Sequence, residues 1–332
     1  MRAVVVQAPG RIEVATVADP VPGPGDVVVT VQACGLCETD LRIVDGELPV
    51  VGYPLVPGHE LAGLVAATGG AVAGIAEGDV VAIDPSSPCG ICRYCHVGRA
   101  NLCERSRVVG ITSPGGAAEY VRVAAMQCFV LPCGTSATAG ALIEPLSLAV
   151  HALDRIPHRL TDDVLIYGAG TNGLLLTQLL RRAGIQSVSI VDSRMDRLST
   201  AEVVGATAVA TDAGVFDRPE SWDLVVDVSG AEAVEDGLRR VRKGGTFLLF
   251  GTADPAVTAR FVPYRIGHEE ITIVGARAAL HSFDRARELL VAGAVDTGPL
   301  ITHTADLADY AEALSGFRAG VGVKTQVLPT AG

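Results

Sequence analysis

The chain predicts two kinds of domain in one molecule: an all-β, barrel-like part and an α/β part with a doubly wound parallel sheet. Three observations carry this. The 332 residues exceed what one core usually holds, so two domains are expected. Residues 1–130 contain short, mostly valine-rich runs cut by Gly and Pro clusters. From about residue 140, apolar runs alternate with helical stretches, the order of right-handed βαβ crossovers.

The β-rich part has candidate strands at AVVV (3–6), DVVVTVQA (26–33), LAGLVAA (61–67), DVVAI (79–83) and AAEYVRV (117–123). PVPGPGD (20–26) and TGG (68–70) are the breaks between them. EPLSLAVHALDR (144–155) opens the second pattern as a helix. DVLIYGAG (163–170) is a buried strand running into glycines, and the helix at 171–184 ends at Gly184. Strands at 187–192, 223–230, 245–251 and 271–276 alternate with helices at about 194–204 and 231–241. Two further helices, at about 282–292 and 306–318, precede a closing strand at 322–329, a tail able to rejoin either domain.

Apolar residues make up 49%, enough for large cores, and the 19% that are charged form no long single-sign run, which argues against disorder. The net charge of −11 comes without a basic stripe, so nucleic acid and anionic membranes are excluded as expected partners. No apolar run reaches the roughly 18 residues of a membrane span. The start, MRAVVVQAPG, passes into a β-like run without signal-peptide design, so a cytoplasmic address is expected. In a reducing compartment, clustered cysteines point to metal rather than to disulfides.

Three stretches carry chemistry. CGLCETDLRIVDGELPVVGYPLVPGHE (34–60) contains Cys37, His59 and Glu60, with turns expected at Gly35 and Gly58. A thiolate, an imidazole and a carboxylate are ligand types of a catalytic zinc that keeps an open position. Taken singly, Cys37 or His59 is more often a buried thiol or part of a polar turn than a ligand. CGICRYCHVGRANLC places Cys89, Cys92, Cys95 and Cys103 at a spacing that lets four thiolates converge on one ion. Such a site is closed and therefore structural; zinc is the expected ion, with an iron–sulfur cluster as its competitor. GAGTNG (168–173) is a Gly-x-Gly-x-x-Gly turn between a strand and a helix. Gly168 makes the turn, Gly170 lets the backbone approach a pyrophosphate, and Gly173 allows close helix packing, with the helix N-terminus near Thr171 facing the phosphates. Asp192 ends the next strand, where it can accept from both ribose hydroxyls and repel a 2′-phosphate. That favours NAD over NADP, a preference that Arg194 and Arg197 could soften.

Together GLCETD, PGHELAG, the four-cysteine loop, IEPLS and GAGTNG resemble the zinc-dependent medium-chain dehydrogenase/reductase superfamily, the alcohol dehydrogenase family, over essentially the whole chain. The resemblance implies a GroES-like β-barrel catalytic domain from 1–145 and 276–332, with a Rossmann domain, 146–275, inserted. It implies Cys37 and His59 as catalytic zinc ligands. Glu144 of IEPLS stands at the third ligand position, and its carboxylate resembles the sorbitol-type polyol branch. Whether Glu60 or Glu144 binds the metal directly stays open. Thr39 matches the hydroxyl that carries the alcohol proton away, and Asp40 matches an acid that holds the His59 imidazole. Arg42 stands where family members often have an outer histidine, a departure. In the cofactor half the resemblance adds Asn172, Leu174, Arg197, Val228, Gly251 and Ala276.

TDLRIVDGELP and VGITSPGGAAEYV are similar to motifs of arabinitol and sorbitol-type dehydrogenases. The implied activity is hydride transfer between NAD and a secondary alcohol of a polyol, sugar alcohol or cyclitol, with two zinc ions per chain. Threonine or simple secondary-alcohol oxidation is the alternative within this architecture, and a non-enzymatic NAD sensor is the alternative outside it. Glu38, Arg42 and Tyr53 are candidates for reading extra hydroxyls. A homodimer or homotetramer is expected, with ITIVGA (271–276), if it is a sheet edge, as the pairing strand.

Overall fold

The strand Asp26–Gly35 organises the first unit of the protein. Its valines at 27, 29 and 31 are fully buried, and it pairs antiparallel with Glu60–Thr68, Tyr120–Ala124 and Lys324–Val327. The whole sheet has seven strands. Six run in the order Ile301–Ala305, Lys324–Val327, Asp26–Gly35, Glu60–Thr68, Val80–Ile83 and Cys128–Val130, with Tyr120–Ala124 attached to Asp26–Gly35. One core packs Val27, Val29 and Val31 with Leu61, Val65, Val81, Ile83, Val121 and Val123. A second joins the N-terminal strand Arg2–Ala8 to the helices Glu38–Asp45 and Tyr310–Arg318 through Val4, Val6, Leu41, Val44, Tyr310 and Leu314.

The computed structural model describes residues 1–159, 161–230, 233–253 and 255–329. Contacts divide it into one unit of Met1–Ser147, Phe283–Ala292 and the chain from Ile301 on, and another of Leu148–Ser282 and Gly293–Leu300. The short return of 293–300 to the second unit has a visible cause: the Gln178 side chain accepts from Asp296 N–H at 2.6 Å and donates to its carbonyl at 3.0 Å.

The second unit is built on six parallel strands. Their order is Ala208–Ala210, Ser187–Val191, Asp163–Tyr167, Trp222–Asp227, Val241–Leu249 and Thr272–Gly275. Ranked along the chain, this is the 3-2-1-4-5-6 arrangement of dinucleotide-binding sheets, in which ligands sit where the order reverses. The strand Asp163–Tyr167 lies at that reversal. Helices Thr171–Arg182, Met195–Val203 and Val234–Arg240 connect the strands. The helix expected at 231–241 is seen from Val234; positions 231 and 232 lie outside the described residues.

Several elements were not expected from the sequence. Arg11–Thr16 forms a hairpin with Arg2–Ala8. Ala208–Ala210 is three small residues, too few for a periodic signal. The helix Glu38–Asp45 lies inside the ligand stretch, with Asp40, Leu41, Ile43 and Val44 buried and Gly46 ending it at φ 76°.

Candidate metal centre and cofactor turn

Sheet register builds the first site. Gly35 stands opposite Glu60 on one neighbouring strand and Gln326 on the other. The chain then passes Leu36 to Cys37, the residue that caps the helix Glu38–Asp45. The Asp40 carboxylate accepts from Cys37 N–H at 2.9 Å, which locks the thiol to the first helical turn. On the other side Gly58 turns the chain at φ 97° into buried His59 and Glu60, and a side chain at 58 would meet Ala117 N at 2.8 Å. One ligand atom from each of Cys37, His59 and Glu60 lies within 4.8 Å of the others.

The turn expected at Gly35 is absent. Gly35 ends a strand, and its lack of a side chain has a different reason: a Cβ there would run into the Glu60 carboxylate.

Lys324 was missed by sequence reasoning. Its side chain is 3% exposed, and Nζ donates to Glu60 Oε2 at 2.6 Å, to Oε1 at 2.9 Å and to the Leu36 carbonyl at 2.9 Å. Burial alone would push this ammonium down; the Glu60 carboxylate outweighs it and holds it above its ordinary range. The only hint in the sequence was a lysine inside a strand that otherwise reads as buried.

Glu144 lies outside the 4.8 Å group but within its electrostatic reach. It sits in the first turn of the helix Ile143–Asp154. Burial pushes its carboxyl up to about 8, His59 pulls it back, and the charges of Glu60 and Cys37 raise it further. Burial, then Glu60, likewise pushes the Cys37 thiol up to about 12. Glu144 and Cys37, two buried donors that prefer their neutral forms, match what a divalent cation needs: donors whose protons it displaces. The Nδ1 of His59 is buried without a hydrogen-bond partner.

Thr39 Oγ1 lies 3.8 Å from Cys37 Sγ, on the first helical turn. Arg42 faces Glu47, with Nε 3.7 Å from its carboxylate. Tyr53 donates to the Ile43 carbonyl, and Glu38 is exposed. The hydrogen bond expected between Asp40 and His59 is not made: Asp40 Oδ1 and His59 Nδ1 are both buried without a partner, and the other Asp40 oxygen holds Cys37.

The four cysteines converge as their spacing predicts. All four sulfurs lie within 4.8 Å of one another, with Cys92 at 3.6 Å from Cys95 and 3.8 Å from Cys103. The edge of a tetrahedron with 2.3 Å zinc–sulfur bonds is about 3.8 Å. This is the spacing of one ion, tighter than thiolates spread around a cluster. The backbone acts unequally on the four sulfurs: Cys89 N–H reaches Cys103 Sγ at 3.3 Å, donors led by Cys95 N–H lower the Cys92 thiol to about 6, and burial pushes the Cys95 thiol up to about 12.

In the second unit Gly168 adopts φ 107° at the end of Asp163–Tyr167, and a Cβ on Gly173 would collide with the Gly168 carbonyl. Gly170 has open space on its Cα, and no side chain caps the helix Thr171–Arg182 that follows it. The Asn172 Oδ1 is buried without a partner. Open space over the turn, an uncapped helix start and an orphan amide suit a dinucleotide pyrophosphate. Asp192 accepts from Ala169 N–H at 2.7 Å and Arg194 N–H at 2.9 Å, tying the acid to the turn. Arg197 is half-buried on the next helix. Val228 and Gly251 gather beside Gly168: a Cβ on Gly168 would meet Val228 Cγ2 at 2.9 Å, and one on Gly251 would meet the Val228 carbonyl carbon at the same distance. Ala276 N–H bonds Leu249 at the neighbouring strand end. Leu174 differs from expectation: its side chain is fully buried and its N–H bonds Gly170, so it supports the turn and presents nothing to a cofactor.

The chain matches two family models: the alcohol dehydrogenase GroES-like domain over residues 23–133 and the zinc-binding dehydrogenase over 173–292. It is 34% identical to D-arabinitol dehydrogenase 1 of Uromyces fabae, covering 92% of this chain and 90% of that one. It is 32% identical to D-altritol 5-dehydrogenase of Agrobacterium fabrum, covering 86% and 87%. A zinc-binding dehydrogenase structure from Sinorhizobium meliloti 1021, bound to NADP, superimposes with a TM-score of 0.95 at 34% identity over 99% of both chains.

Proposed function

Because this chain belongs to the zinc-dependent medium-chain dehydrogenase/reductase (alcohol dehydrogenase) family, we propose that it oxidises a secondary alcohol of a polyol, sugar alcohol or cyclitol to the ketone with NAD. One observation carries the chemistry: the convergence of Cys37, His59 and Glu60 at a buried point, with Glu144 in electrostatic reach. Polyol substrates are favoured by relatives named for D-arabinitol and D-altritol.

Cys37, His59 and Glu144 hold the catalytic zinc in this reading, and Cys89, Cys92, Cys95 and Cys103 hold the structural one. The choice of Glu144 over Glu60 rests on charge. Glu60 already has a buried ammonium on both carboxylate oxygens, which competes with a cation, whereas Glu144 has no ion pair among the described residues. When bound, the zinc supplies Lewis acidity that lowers the pKa of the alcohol hydroxyl, and the nicotinamide accepts the hydride. Thr39 relays the hydroxyl proton: its Oγ1 accepts it as its own hydroxyl proton passes on to water. Arg42 takes no part in passing it on, since its guanidinium stays charged and faces Glu47. Gly168, Gly170, Thr171, Asn172 and Gly173 seat the pyrophosphate, and Asp192 selects the unphosphorylated ribose.

The test is NAD reduction across polyols, cyclitols, simple alcohols and threonine, with NADP as control. Fast turnover of an acyclic polyol is expected. Preference for threonine or a simple alcohol would replace the substrate assignment, and faster NADP reduction would undo the role of Asp192. We place the enzyme in the cytoplasm, where eight free thiols persist; no described helix is long and apolar enough to cross a membrane. Two copies pair along the exposed edge strand Thr272–Gly275.

A further inference from the structure

Beside the metal-binding residues three buried polar atoms have no hydrogen-bond partner: Asp40 Oδ1, His59 Nδ1 and the Tyr310 hydroxyl. Asp40 is 0% exposed, Tyr310 1% and His59 5%. A phenylalanine would fill the place of Tyr310 without stranding a hydroxyl, so the phenol needs a reason.

The helices bring these groups together. Asp40 sits on Glu38–Asp45, whose Leu41 and Val44 share one core with Tyr310 and Leu314 of the helix Tyr310–Arg318. The charges sense one another. Burial raises the Asp40 carboxyl and His59 pulls it back, while burial and then the Asp40 charge raise the Tyr310 phenol.

The hydrogen-bonding inventory closes on this trio. Asp40 Oδ2 is taken by Cys37 N–H at 2.9 Å. Asp40 Oδ1 keeps two lone pairs. The phenol has one O–H to donate, and the imidazole has one Nδ1–H once Nε2 faces a metal. One buried oxygen with two lone pairs thus has two unpartnered donors within its electrostatic reach.

We propose that Tyr310 is a positioning residue for the zinc ligand His59: with the metal bound, its hydroxyl donates to Asp40 Oδ1, which then also accepts from His59 Nδ1–H and so holds the ring with Nε2 toward the metal. This rests on the zinc reading of Cys37 and His59. A carboxylate behind a ligating imidazole fixes its tautomer and raises its basicity. The phenol keeps that carboxylate from turning away, and Cys37 N–H holds it from the other side.

The experiment measures zinc content and zinc affinity of the full chain by competition with a chelator. Wild type holds two zinc ions, and Cys37→Ala holds one, which identifies the site. Tyr310→Phe retains the Cys37 zinc about 10- to 100-fold more weakly, as expected for loss of a partner behind a ligand. The zinc-free Tm of this variant stays at the wild-type value, and on an Asp40→Ala background the same change adds no further weakening. Leu314→Ala, a core truncation on the same helix, lowers the Tm and leaves zinc affinity unchanged. Wild-type zinc affinity in Tyr310→Phe, or equal weakening with and without Asp40, overturns the proposal. A wild type that holds only the four-cysteine ion overturns the zinc reading itself, and the role of Tyr310 with it.

Discussion

At the scale of single residues, Lys324 and Glu60 set the electrostatics of the metal centre. Both side chains are 3% exposed, and the pair is satisfied from both sides, by two carboxylate contacts and the Leu36 carbonyl. Removing one partner of such a pair strands a buried charge, at a cost of about 3–5 kcal/mol. Lys324→Met is therefore expected to lower thermal stability sharply. Adding Glu60→Gln to it should recover much of the loss, because the stranded carboxylate is gone. A double variant no more stable than Lys324→Met would show that the lysine acts through packing alone. The ligands respond differently. If Cys37 and Glu144 hold the zinc as proposed, Cys37→Ala or Glu144→Ala removes a donor to an ion that lowers the barrier by several kcal/mol, so kcat/KM should fall by about 10³-fold or more. Binding of NADH, followed by its nicotinamide fluorescence, should stay near wild type. Full turnover in either variant would reject the assignment.

At the scale of elements, the helix Glu38–Asp45 carries Thr39 and Asp40 and is fixed at its far end. Asp45 receives two bonds from Arg318 at 2.7 and 2.8 Å, which tie it to the helix that bears Tyr310. The hydrogen bonds from Arg318 hold the Asp45 carboxyl below its ordinary range. A depressed folded pKa gives stability that is present above the unfolded value, about 3.9, and is lost as pH falls through the folded one. Asp45→Asn should thus lower the Tm slightly at pH 7, by about 1–2 °C given how exposed the pair is, and make a smaller difference as the pH falls below about 3.9. An equal loss above and below that pH would assign the effect to something other than the ion pair. The helix also marks a limit of sequence reading. The four cysteines and GAGTNG were legible because each motif is local and its spacing states the geometry, whereas Cys37 and His59 were legible through the resemblance carried by GLCETD and PGHELAG. Glu38–Asp45 has eight residues, about two turns, too short for helical periodicity to stand out. Lys324 was illegible for a different reason. It lies 264 residues from Glu60, and only the pairing of Lys324–Val327 with Asp26–Gly35 makes them neighbours. Gly35 was misread as a turn because glycine in a sequence signals conformational freedom, whereas here it signals the closeness of a carboxylate.

At the scale of the whole molecule, one edge of the parallel sheet is open. Thr272–Gly275 is the last strand in its order, and its ladder toward Val241–Leu249 uses one side only. Ile273 is 39% exposed, and Phe261, Val262 and Tyr264, just before it in the chain, are 52%, 62% and 72% exposed. An apolar edge of this kind pairs with another strand or invites aggregation. A two-fold axis beside the strand would let the same strand of a second copy pair with it, so that one surface serves both partners and the assembly is finite. The wild-type chain is therefore expected to run as a dimer or a larger even assembly by light scattering at micromolar concentration. Ile273→Lys places an ammonium at the centre of that pairing, facing its own copy across the axis, while the strand keeps its ladder to Val241–Leu249. The variant should become monomeric with its zinc content unchanged. A wild type that is monomeric at all concentrations, or an Ile273→Lys variant that keeps the wild-type mass, would remove the edge as the interface and leave the exposed segment at 261–264 to be explained by another contact.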